Sequence, residues 1–237
     1  MEQHIESVIM TSKPSFELRA VDYFEDALVF AQTNYQAVID RISNTRFGSV
    51  SAIDFWDEYV WAVYVSGFRA KTISKIWVKL LTAYDKLELI GEPAPSGVES
   101  EVRETAMKVF AHPRKTKAII DASHIIRIGR NEVGWERFRD TNLSTPEQLQ
   151  TLPFIGKITC YHLARNIGLL QYVKPDLHLV RMAKRWGFPS PQALCEYLAR
   201  EFDMQPGIVD LVLWYSASTF GTKELDKPKP VVIVEEQ

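Results

Sequence analysis

Cysteine is scarce: Cys160 and Cys195 are the only two in 237 residues. Two cannot build a disulfide framework, a four-cysteine zinc site or a four-cysteine iron–sulfur cluster, so a reducing cytosol is the expected setting. Charge of one sign is missing too. Twenty-eight Lys and Arg stand against thirty Asp and Glu, a formal net charge of −2. That excludes a wholesale polycation but leaves nucleic acid open as a partner, because a basic patch can sit on a near-neutral protein. No uninterrupted apolar run approaches the ~18 residues needed to span a bilayer. Residues Met1 to Pro14 carry Glu2 and Glu6 and lack the charged-then-apolar plan of a secretion signal. A soluble, cytoplasmic chain without a membrane partner is expected. Repeats and low-complexity segments are also lacking.

What is present is an ordinary globular composition, 46% hydrophobic and 24% charged, with six Trp and twelve Phe to fill an aromatic core. The length suits one or two domains. The pattern reads as helical almost throughout. Ser15 to Ser43 has apolar positions at helical spacing, and Ser51 to Val65 has almost no polar face, which places that helix in the middle of a bundle. Further helices are expected at about Ala70–Leu87, Val98–Phe110, Thr116–Ile128 and Trp135–Phe138, with Asn131-Glu132 and Gly134 as a break. A proline- and glycine-rich loop, Gly91 to Gly97, punctuates the chain. Thr145 reads as an N-cap, with Pro146 in the first helical position and Gln148 completing a capping box. Pro153 stops that helix by Leu152. A second runs from after Gly156 to Ile167, and others start at Pro175 or Asp176, at Ser190-Pro191 and at Pro206. The tail, 222–237, reads as an arm or a strand.

Thr145 to Arg185 carries the chemistry. Two short helices meet at the turn Leu152-Pro-Phe-Ile-Gly-Lys157, where Gly156 is expected to take a conformation that a Cβ would resist. The amides of Lys157, Ile158 and Thr159 then have no partner inside their helix and face outward at its positive end, which suits a phosphate. Such a turn grips a nucleic-acid backbone without reading its sequence.

These residues, followed by Val173-Lys-Pro-Asp-Leu-His-Leu-Val-Arg181, resemble the helix-hairpin-helix DNA glycosylase superfamily. That superfamily includes endonuclease III, the adenine glycosylase and the 8-oxoguanine glycosylases. Its pattern is Leu-Pro-Gly-Val-Gly and then, some twenty residues on, an Asp before a helix with His and Arg. Leu152, Pro153, Gly156, Asp176, His178 and Arg181 match, and a weaker likeness covers roughly Ser51 to Gly221. The missing cysteines set the chain apart from the iron–sulfur branches. It departs from the pattern twice. Phe154 stands at the first hairpin Gly, which alters the turn or its fit to a backbone. Ile158 stands where strand-cutting members carry a Lys. The neighbouring Lys157 is turned about 100° away and reads better as a phosphate contact.

The resemblance implies an all-α, two-lobed fold with a groove between the lobes. Residues 51–170 would form a helical barrel with the hairpin at about 145–168. Residues 1–50 would join 171–221 in the second lobe. It implies a monomeric enzyme that binds double-stranded DNA, flips a damaged or modified base and hydrolyses its N-glycosidic bond to leave an abasic site. Asp176, kept anionic by the helix start it occupies, would stabilise the oxocarbenium-like sugar and direct a water. Phe68 would be the wedge and Arg69 a phosphate or orphan-base contact. Tyr161, His162, Trp214 and Tyr215 are candidates to line the base pocket. No cofactor is required. A monovalent cation on the carbonyls of Gln150, Leu152 and Ile155 is implied by the family alone. Three rival readings stand beside this one: a bifunctional glycosylase/lyase using Lys157, a hairpin DNA-binding module without catalysis, and a helical interaction protein that binds no DNA. The bland readings make Asp176 a plain N-cap, Phe68 a core residue, the run Arg114 to Lys117 a solvated face, and both cysteines inert core. The identity of the base, and repair versus defence against foreign DNA, stay open.

Overall fold

Local chemistry sets most helix ends in the computed structural model, which describes residues 15–87 and 97–222. Ser51 caps the second helix in a reciprocal box with Asp54: its Oγ accepts the Asp54 amide at 3.1 Å, and the Asp54 carboxylate accepts the Ser51 amide at 3.3 Å. Ser190 accepts the Ala193 amide at 3.1 Å, with Pro191 in the first helical position. Among the described residues there are twelve α-helices and no strand: α1 Ser15–Asn44, α2 Ala52–Val65, α3 Ala70–Ser74, α4 Trp77–Tyr84, α5 Val98–Val109, α6 Pro113–Val133, α7 Trp135–Asn142, α8 Pro146–Leu149, α9 Thr159–Asn166, α10 Leu177–Arg185, α11 Pro191–Glu201 and α12 Pro206–Phe220. The protein is all-α. No described helix is long and apolar enough to cross a membrane. Residues 1–14, most of the expected 91–97 loop and the tail beyond Thr222 lie outside the described residues.

Four boundaries differ from the sequence reading. The helix expected over Ala70–Leu87 breaks at Ile76 (φ −118°, ψ 5°) into α3 and α4. No Gly or Pro marks the break; Ile73 before it and Leu80 after it are both fully buried, so packing sets it. α6 starts at Pro113, because the His112 ring caps it by accepting the Lys115 amide at 3.3 Å. It also runs through Asn131-Glu132 to Gly134, the true stop. α7 continues past Phe138 to Asn142. α1 is kinked at Tyr35, whose φ of −139° and ψ of 21° leave the helical region.

Two hydrophobic cores form. The first gathers around α2, where Phe55, Tyr59, Val60, Val63 and Tyr64 are completely buried, and it takes in α4 to α9 up to Leu169. The second begins at the next residue, Leu170, and joins α10, α11 and α12 to α1 through Phe24, Met182, Trp186, Leu198 and Val212. Cys160 lies in the first core and Cys195 in the second, both as free, buried thiols.

Candidate active site

The hairpin is α8, the turn 150–158 and α9. Thr145 caps α8 by accepting the Gln148 amide at 3.2 Å. The Gln148 side chain reaches back one residue further than a capping box would, to the Ser144 amide at 2.8 Å. The Tyr59 hydroxyl, from the middle of α2, donates to the Pro153 carbonyl at 2.8 Å and ties the turn to the first core. Gly156 is not left-handed, contrary to the sequence reading. The residue that is left-handed is Phe154, with φ of +65°. An L residue held there costs about 1–2 kcal/mol. Gly156 serves differently: a Cβ on it would meet nothing within 4 Å, so it leaves bare backbone facing open space.

Beyond Gly156 the amides of Lys157, Ile158 and Thr159 have no hydrogen-bond acceptor among the described residues, and Ile158, the N-cap of α9, offers no side-chain bond. Lys157 and Ile158 are exposed and Thr159 half-buried. Of the three carbonyls implied for a cation, that of Leu152 accepts the Ile155 amide at 3.2 Å, while those of Gln150 and Ile155 accept no donor among the described residues. Among the described residues no cluster of His, Cys, Asp and Glu could hold a metal.

Beside the hairpin lies the loop that ends α2. Gly67 takes a left-handed φ of +79° and turns the chain there. Phe68 follows with 40% of its surface exposed, and Arg69 is exposed too. Behind them sits Lys115, which is 1% exposed. Its ammonium donates to the carbonyls of Val63, Tyr64 and Ser66 at 2.5, 3.2 and 2.6 Å, satisfying the end of α2. The run Arg114 to Lys117 is therefore not a solvated face throughout. Desolvation lowers the Lys115 pKa to about 8.

Asp176 stands at the start of α10 with its side chain 11% exposed. One carboxylate oxygen accepts the amides of His178 and Leu179 at 2.9 and 3.1 Å. The other lies 3.4 Å from the Lys174 ammonium, which also sits 5.7 Å over the Trp214 ring. The Lys174 amide donates to the fully buried Asp210 at 3.0 Å, and Arg165 pairs with the same Asp210 oxygen at 3.3 Å. Burial pushes the Asp210 carboxyl up while Arg165 and that amide oppose it.

The four candidate pocket residues do not share one surface. His162, Trp214 and Tyr215 belong to the neighbourhood of Lys174. Burial, with Arg165, Lys174 and Arg41 nearby, holds the His162 pKa well below its ordinary value, so the ring is neutral. Trp214 packs on Tyr215 with ring centres 5.4 Å apart, and Tyr215 stacks face to face on Tyr35 at 3.8 Å. Tyr161 instead lines a cleft of about 550 Å³ with Glu147, Tyr172, Pro175 and Glu196, which none of the other three reaches.

Sequence reasoning missed Lys115, Lys174 and Tyr35. Lys115 had a signal: it falls on the stripe of Ile119, Ala122 and Ile126, the buried face of α6. Lys174 lies two residues before Asp176. The Tyr35 kink has no local mark. Compared with family models, curated proteins and solved structures, the chain matches none.

Proposed function

We propose that the chain is a DNA base-excision glycosylase. It flips a damaged or modified base and hydrolyses the N-glycosidic bond. The two cores correspond in this reading to two lobes, 51–170 with the hairpin and 1–50 joined to 171–221, with the site in the groove between them. The observation that carries it is the state of Asp176: one oxygen is fixed by two amides, and the other faces the Lys174 ammonium at 3.4 Å. A sugar developing positive charge at C1′ can take the place of that ammonium. The α9 amides and Arg69 hold the phosphates, and Phe68 fills the vacated stack. Water adds its oxygen to C1′ as the bond to the base breaks, the proton passes to the departing base, and an abasic site remains. His162, being neutral, offers that base a hydrogen bond without competing for its proton.

One observation favours a second reading. The Lys174 amine lies 3.4 Å from Asp176, whereas Lys157 is exposed and makes no ion pair among the described residues. The Lys174 nitrogen could attack C1′ in place of water: the N–C1′ bond forms as the bond to the base breaks, one N–H proton leaves with the base, and another passes to the ring oxygen as the sugar opens to an imine. The experiment is mass spectrometry of bases released from duplexes bearing oxidised, deaminated, alkylated and hypermodified bases. Asp176→Asn keeps an N-cap of equal quality, so folding is preserved. Release falling about 10²–10³-fold in Asp176→Asn supports the reading; equal release by both removes Asp176 from the chemistry. The same reactions quenched with borohydride separate water from amine: a protein–DNA adduct lost in Lys174→Ala but kept in Lys157→Ala identifies the amine route.

A further inference from the structure

We infer that Phe154, on the hairpin, is a second DNA-entering aromatic residue, paired with Phe68 to plug the gap left by a flipped nucleotide. This rests on the DNA reading above and extends it to a residue that the family pattern leaves as glycine.

Three observations carry it. First, Phe154 is held at φ of +65° in an exposed turn, where glycine would sit without strain. Its ring is not core: 37% of the residue is exposed, much as for Phe68 at 40%. A strained, exposed aromatic residue stabilises the fold poorly, which points to a role outside the fold. Second, Phe68 and Phe154 come from distant parts of the chain yet share one support. The Lys115 ammonium sits 5.0 Å from the centre of each ring, and His112 meets each edge-on at 5.9 and 6.2 Å. Three carbonyls fix that ammonium, so the two rings are set in place before any ligand arrives. Third, the surroundings fit a polyanion. Arg69 follows Phe68, Arg114 lies between His112 and Lys115, and Lys157 comes three residues after Phe154; all three are exposed, and the open amides of α9 follow Phe154 within five residues. Flat rings beside phosphate-binding groups suit an unstacked duplex, where any base offers a face to stack on.

The test uses the full chain and two duplexes: one intact, and one with a tetrahydrofuran abasic analogue facing 2-aminopurine. Phe154→Gly restores the family residue and removes the left-handed strain, so it should melt within about 3 °C of wild type. We expect it to lose about tenfold of the preference for the abasic duplex, and to lose the change in 2-aminopurine emission that wild type produces. Phe68→Ala should do the same, and the double variant should show no preference for the abasic duplex at all. Unchanged preference and emission in Phe154→Gly, with wild type binding normally, overturns this inference and leaves the glycosylase reading standing. If wild type binds neither duplex at low salt, the DNA reading itself falls and takes the inference with it.

Discussion

The starts of α9 and α10 are two answers to one problem. Each helix is short and leaves its first amides without intrahelical partners. At α10 the protein supplies the acceptor: Asp176 takes two amides, and its other oxygen is held by Lys174 in a half-buried setting. At α9 it supplies none, and Ile158 stands where a cap would be. Burial explains the difference. A buried amide left unpaired is costly, so α10 must be capped from within, whereas an exposed end can be solvated and keeps its amides available. One start holds an acid in place; the other leaves its amides open.

The contrast can be broken from either side. The largest effect is expected at the base of the α10 arrangement. Asp210→Ala removes the acceptor of the Lys174 amide and leaves Arg165 buried without its counter-charge. A loss of about 3–5 kcal/mol in denaturant unfolding is expected. An unchanged midpoint would show that Asp210 does not anchor this end. Next comes Ile158→Asp, which puts a negative charge at the start of α9, beside its open amides. Stability should rise by about 0.5 kcal/mol through the helix dipole, while affinity for duplex DNA drops at least tenfold, because the carboxylate repels a phosphate approaching the open amides. If affinity survives, phosphate does not bind there.

The smallest effect concerns Lys115, which caps the far end of α2 in the same spirit as Asp176 caps α10. Its pKa is lowered to about 8 in the fold, against 10.5 for an ordinary lysine. Between those values the unfolded chain binds more protons than the folded one, so stability rises with pH across that window. Below about pH 8 the full cost of burying the charge is present. Unfolding midpoints compared at pH 7.5 and 9.5 should therefore show a rise in wild type that is smaller in Lys115→Met. Parallel pH profiles in the two would refute it.

Short-range chemistry was readable from the residues. Ser51, Thr145 and Ser190 each announce a helix because a cap and its target lie three residues apart. The want of polar positions in Ala52–Val65 put α2 in the centre, where Tyr59 and Val60 are indeed fully buried. Asp176 was legible as the residue before a helix. The left-handed residue of the turn was misassigned, since glycine is the default there and Phe154 is held against its own preference by contacts with His112 and Lys115. Patterning and capping over a few residues thus gave the chain its helices, its buried middle and the position of its acid. Which charge meets which partner was another matter. Lys115 finds carbonyls about fifty residues earlier, Asp210 joins Arg165 to Lys174, and Tyr35 bends its helix to stack on Tyr215. Those pairings follow from how helices abut in space, and a linear spacing rule carries no information about that.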